Sequence, residues 1–133
     1  MILVDAGPMV ALLSADDQHR APCSEAVRTL RGPLATVWPA LTEAMHLLKP
    51  RPIAQQTLLK QVENGALSLL PLAATDVPRM RELMRKHADG PMDLADAALV
   101  RVAERERIFT IFTVDRSDFA VYRPLGRRFK IVP

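Results

Sequence analysis

Residues 92–119, MDLADAALVRVAERERIFTIFTVDRSDF, narrow the choice of fold more than any other stretch of the chain. Leu94, Ala97, Ala98 and Val102 recur at helical spacing from a start near Asp93, and the β-rich run Phe109-Thr110-Ile111-Phe112-Thr113 follows. A helix that feeds a strand in this way is half of a parallel α/β unit. The acids are grouped as well. Asp93 and Asp96, three apart, share a face of the helix's first turn, and Asp115 and Asp118 come directly after the strand. Carboxylates placed like this either cap and solvate the chain or hold a metal ion.

The remainder of the chain repeats the alternation. Ile2-Leu3-Val4-Asp5 is a short apolar run closed by an acid, the pattern of a buried central strand with Asp5 at its carboxyl end. Gly7 and Pro8 mark the turn into a helix whose apolar face is Met9, Val10, Leu12 and Leu13. A second helix over about residues 21–30 ends at Gly32-Pro33, and residues 34–37 read as a buried strand. Pro39 begins a third helix, to about residue 48, with Glu43 among largely apolar neighbours. A helix over residues 53–62, a short strand over 67–70, a helix opening at Thr75 and running to about His87, and a last strand over 129–132 complete the pattern. Strands alternating with helices imply a parallel sheet covered on both faces, with ligands beyond the carboxyl ends of the strands. Asp5, Glu43, Asp93, Asp96 and Asp115 all fall at that edge, so all five are placed to face one crevice.

At 133 residues the chain has the size of one domain with one core. With 49% apolar and 25% charged residues and no repeat of fixed period, it is an ordinary globular sequence. The apolar N-terminus has no basic leader and is broken by Asp5, Gly7 and Pro8, which argues against a signal peptide or a membrane span and for a cytoplasmic protein. A lone Cys23 and the scattered His19, His46 and His87 offer neither a zinc spacing nor a nucleophile paired with a base. The net charge is +3. Setting the five clustered acids aside leaves ten acids against 18 basic residues, a balance of +8 that attracts a phosphate backbone. No phosphate-cradling glycine loop is present, and no lysine follows the last acidic strand, which weakens the nucleotide-hydrolase and phosphoacceptor alternatives.

Asp5 in ILVDAGPMVALL, Glu43 in TVWPALTEAMHLL, Asp96 in MDLADAALVRVAE and Asp115 in FTVDRSDF resemble, in order and spacing, the four acidic positions of PIN-domain ribonucleases. The resemblance spans almost the whole chain. It implies an α/β, PIN-like three-layer fold, a central, mostly parallel sheet flanked by helices, in a single domain over residues 1–133. It also implies a magnesium- or manganese-dependent endoribonuclease like the VapC-type toxins of toxin-antitoxin pairs. Asp5 and Asp96 would be direct metal ligands, Glu43 and Asp115 would complete the acidic cluster, and Thr113 would polarise or position a water. The implied partners are an RNA substrate, a small antitoxin that inserts a basic side chain among the acids, and a second copy in a homodimer. Asp93 is an addition relative to many relatives.

An all-carboxylate site suits a hard ion, magnesium or manganese rather than zinc. Such an ion lowers the pKa of a bound water for in-line attack on phosphorus. The competing reading is a non-catalytic protein- or RNA-binding module of the same fold, its acids kept for folding. Taken singly, each acid has a plainer use. Asp93 and Asp96 can open a helix as a capping box, Asp5 can cap the helix at Pro8, Asp115 and Asp118 can stabilise a turn, and Glu43 can pair with an arginine. Trp38, just past the second strand, suits core or interface packing ahead of stacking on a base.

Overall fold

The computed structural model describes residues 1–133. Five short strands, β1 (Ile2–Val4), β2 (Leu34–Thr36), β3 (Leu67–Leu69), β4 (Thr110–Phe112) and β5 (Lys130–Val132), form one sheet in the order β3-β2-β1-β4-β5. Every pairing is parallel, with Leu3 opposite Ala35 on one side and Ile111 on the other. The central strand is buried along its whole length, which is why it is uniformly apolar, whereas Ser68 and Lys130 sit on the two edge strands. The chain builds outward from β1 through β2 to β3, then returns to the opposite side of β1 for β4 and β5. Strand order therefore reverses between β1 and β4, the place where open parallel sheets form a crevice at their carboxyl ends.

Seven helices cover the sheet: α1 (Ala6–Leu13), α2 (Arg20–Thr29), α3 (Trp38–Leu47), α4 (Pro52–Glu63), α5 (Val77–Lys86), α6 (Leu94–Glu106) and α7 (Arg116–Val121). Single 3₁₀ turns stand at Ala74–Asp76 and Pro124–Gly126. No helix is long and apolar enough to cross a membrane. In α6, Ala97, Ala98, Leu99, Val100, Val102 and Ala103 are all fully buried. Their burial on more than one face goes with the packing of this helix against α3 and α5. Small residues on this helix allow close approach, and each larger apolar side chain removed from water contributes about 1.5–3 kcal/mol.

The helix α7 is absent from the sequence expectation, which had Asp118 stabilising a turn; Asp118 instead lies in that helix's first turn. Six residues are too few to display a helical period. What holds α7 in place is long-range, since Phe119 is fully buried and meets Tyr122 and Phe129 edge-on with ring centroids 5.1 and 5.8 Å apart.

A second feature with no local signature is the ionic lattice at the far end of α6. Buried Asp76 accepts from Ala73 N–H (2.9 Å), Arg101 Nε (2.8 Å) and Arg105 Nη1 (2.9 Å). Buried Glu104 takes a two-pronged bond from Arg79 (2.8 and 2.9 Å) and accepts Leu125 N–H at 3.0 Å. The Ala73 N–H, with help from the two guanidiniums, holds the Asp76 carboxyl down at about 2 against the opposing effect of burial. These bonds fasten α6 to α5 and to both 3₁₀ turns, and so fix the helix whose other end carries Asp93 and Asp96.

Candidate active site

β1 runs directly into Asp5, a residue only 3% exposed. Its backbone is extended, and its Oδ1 accepts the N–H of Ala6 at 2.8 Å, so it caps α1 at Ala6, two residues earlier than Pro8 suggested. Its Oδ2 accepts the Thr113 hydroxyl proton at 2.9 Å, and the same hydroxyl oxygen accepts Asp115 N–H at 3.0 Å. Thr113 thus links the carboxyl ends of β1 and β4 across the point where strand order reverses. The resemblance had assigned Thr113 to a water; its observed partners are Asp5 and Asp115. Gly7 is required by space, because a Cβ there would lie 2.4 Å from Cγ2 of Val114. That close approach brings the start of α1 against the segment leading to Asp115.

Asp93 caps α6 through Oδ1, which accepts Asp96 N–H at 2.9 Å. Asp96 does not complete a capping box. Its side chain, on a residue 9% exposed, turns inward, where Oδ2 accepts the phenolic hydroxyl of Tyr122 at 2.8 Å. Tyr122 is fully buried and stands edge-on to the His87 ring at 5.1 Å. Sequence inspection had not singled it out. The one available signal was chemical: a buried tyrosine needs a partner for its hydroxyl, and this is the chain's only tyrosine.

Glu43 on α3 and Asp115 just ahead of α7 are exposed, as is the capping residue Asp93. Glu43 makes no ion pair, contrary to the alternative that paired it with an arginine; every salt bridge in the structure joins other acids. The five acids nevertheless sense one another. Burial pushes the Asp5 carboxyl up to about 6, with Ala6 N–H and Thr113 opposing and the charges of Asp115 and Asp93 adding to the rise. Burial raises Asp96 to about 7, opposed by the Tyr122 hydroxyl and assisted by Asp93, Asp5 and Asp118. Glu43 is raised by burial and then by Asp5, Asp93 and Asp115. Asp115 is raised by burial, Asp118 and Asp93, and lowered by His19. The acids expected at one crevice are within electrostatic reach of one another there, with no lysine or arginine neutralising them.

No group of three or more histidine, cysteine, aspartate or glutamate side chains is arranged so that it could hold a metal ion. A closed cage is what structural zinc requires. Magnesium retains several of its waters and uses one or two carboxylates, and Asp5 and Asp96, hydrogen-bonded but without a lysine or arginine partner, are carboxylates of that kind.

A family model described as PIN domain matches residues 2–123. The chain is 28% identical over 135 residues to Ribonuclease VapC26 of Mycobacterium tuberculosis, covering 99% of this chain and 100% of that protein. Among solved structures, it superposes with a TM-score of 0.79 and 19% identity on Mycobacterium tuberculosis VapC20, described as a sarcin-ricin loop cleaving toxin, over 88% of this chain and 93% of that one. A toxin-antitoxin complex from Klebsiella pneumoniae gives a TM-score of 0.74 at 17% identity, covering 100% of this chain and 97% of that one. With the family model spanning nearly its full length, and with this sheet order and crevice, the chain belongs to the PIN domain family.

Proposed function

We propose that this protein is a magnesium- or manganese-dependent endoribonuclease and the toxin of a toxin-antitoxin pair. The observation that supports the reading is the electrostatic influence that Asp5, Glu43, Asp93, Asp96 and Asp115 exert on one another near the reversal point of the sheet, with no lysine or arginine paired to them. The ribonuclease named among its relatives supports the activity, and the VapC toxin and toxin-antitoxin complex among the similar folds support the role.

Asp5 and Asp96 would hold the ion, which supplies neutralisation of phosphoryl charge and a water of lowered pKa. The chain's own residues do the remaining work. Thr113 fixes Asp5 through Oδ2, and Tyr122 fixes Asp96 through Oδ2, so both buried carboxylates are held before substrate arrives. Glu43 and Asp115 are open to solvent and have raised proton affinity, which suits them to accept the proton of the attacking water. The same negative cluster would receive an arginine from a small antitoxin, whose guanidinium pairs with carboxylates through two hydrogen bonds.

Purified protein incubated with single-stranded RNA should cleave it in magnesium or manganese, and stop with chelator or with Asp5→Asn. Full metal-dependent cleavage by Asp5→Asn would remove the proposed site. Absence of any cleavage, with RNA still bound, would favour the non-catalytic binding module instead.

A further inference from the structure

Trp38 is the first residue of α3 and the chain's only tryptophan, and it is 58% exposed. Core packing, the use the sequence favoured along with interface packing, is therefore excluded. An open groove lies between α3 and the start of α6, lined by residues that include Trp38, Thr42, Glu43, His46, Asp93 and Leu94. Trp38, Thr42 and His46 are spaced four apart and form one stripe of α3, with all three exposed. Apolar Trp38, Leu94 and Ala95 share the lining with Thr42, Glu43, His46 and Asp93, so the indole face stands in a largely apolar groove beside two carboxylates.

The groove is continuous with the acidic cluster. Glu43 and Asp93 line it, and both lie within electrostatic reach of Asp5. Glu43 is five residues along α3 from Trp38, about 7.5 Å of axial rise, and both line the groove. The charge of the walls restricts what can enter. Phosphate is repelled by Glu43 and Asp93, whereas a neutral planar group with N–H donors at its edge is accepted by carboxylate oxygens, as when Glu or Asp accepts from a base amino group. A nucleobase has both properties, a π-face for the indole and donors for the acids. A duplex hides its base faces in stacking, so the matching ligand is a single strand or a loop.

Building on the nuclease reading, we infer that Trp38 is a stacking platform for an unpaired nucleobase one step from the scissile phosphate, with Glu43 and Asp93 facing that base's edge. The platform holds one base of the strand at the Trp38 end of the groove, beside Glu43 and Asp93.

Because the chain has one tryptophan, its emission reports this site alone. The wild-type protein is titrated with a short single-stranded RNA and with the same RNA annealed to its complement, in calcium, with RNA integrity checked afterwards. Binding by wild type, Trp38→Phe and Trp38→Ala is measured in parallel by anisotropy of labelled RNA, and cleavage kinetics are measured in magnesium. The single strand should quench the emission saturably and the duplex should not. Trp38→Ala should weaken binding and raise KM about tenfold with kcat little changed, while Trp38→Phe stays close to wild type. Equal affinity and KM for Trp38→Ala, or equal quenching by the duplex, would overturn the platform. So would quenching produced by a small protein partner but not by RNA, which would assign Trp38 to a protein interface. Cleavage that is unaffected by Trp38→Ala leaves the nuclease standing without the platform. Quenching by single strands without metal-dependent cleavage upholds the platform and removes the nuclease.

Discussion

The Tyr122 hydroxyl shows most clearly how one atom can serve the acidic site. It donates to Asp96 Oδ2 from a fully buried ring, and it is the principal influence opposing burial in setting the Asp96 proton affinity. Tyr122→Phe keeps the ring and its edge contacts but leaves Oδ2 without its donor. Thermal or denaturant unfolding should show a loss of about 1–2 kcal/mol, and magnesium binding followed against pH should shift to higher pH, because Asp96 holds its proton more tightly. A variant with unchanged metal binding at every pH would reduce Tyr122 to packing. Asp5 and Asp96 were legible in the sequence because each sits at a chain position with a local signature, the end of an apolar run and the first turn of a helix. Tyr122 and the double role of Thr113 were not, since their partners lie 26 and 108 residues away.

Among the elements, the first turn of α6 combines a structural and a chemical role that substitutions can separate. Asp93 is the observed cap, and asparagine caps nearly as well as aspartate. Asp93→Asn should therefore leave helix capping intact and relieve some repulsion. Asp96→Asn should raise the melting temperature of metal-free protein at neutral pH more strongly, since it removes a buried charge while an amide oxygen can still accept from Tyr122. Magnesium at a hundredfold excess over Kd should stabilise wild type by about 2.7 kcal/mol and stabilise Asp96→Asn far less. If neither the metal-free midpoint nor the magnesium increment changes in Asp96→Asn, that residue only serves the helix start. The helices with several turns and the buried strands were readable from periodicity, with boundaries displaced by a residue or two. α7 was not, because Phe119 is placed by distant partners rather than by a local pattern.

For the whole molecule, two groups of acids give stability opposite dependences on pH. Asp76, lowered to about 2, stabilises the fold above its unfolded value, and that contribution fades as pH falls from about 4 toward 2. Asp5 and Asp96, raised to about 6 and about 7, bind more protons folded than unfolded between about 4 and 7. Metal-free stability should consequently decline as pH rises through that window. His87, whose proton affinity is lowered chiefly by burial, acts in the opposite sense as a single group. Melting curves in chelator should show a lower midpoint at about pH 8 than at about pH 5, and magnesium should recover most of the difference. A chelated midpoint that is flat or rises over this range would contradict the picture of carboxylates whose charge is opposed first by burial and then by their neighbours.

If these acids form one metal site, their charge must be uncovered before the ion binds, and calorimetry of magnesium binding reads that uncovering. Titrations at about pH 6 in two buffers of different ionisation heat count the protons released on binding. Wild type should bind with net proton release, the release should shrink toward about pH 8, and Asp5→Asn should bind much more weakly. Magnesium binding without proton release at about pH 6, or binding of equal strength to Asp5→Asn, would mean that these acids do not form one metal site.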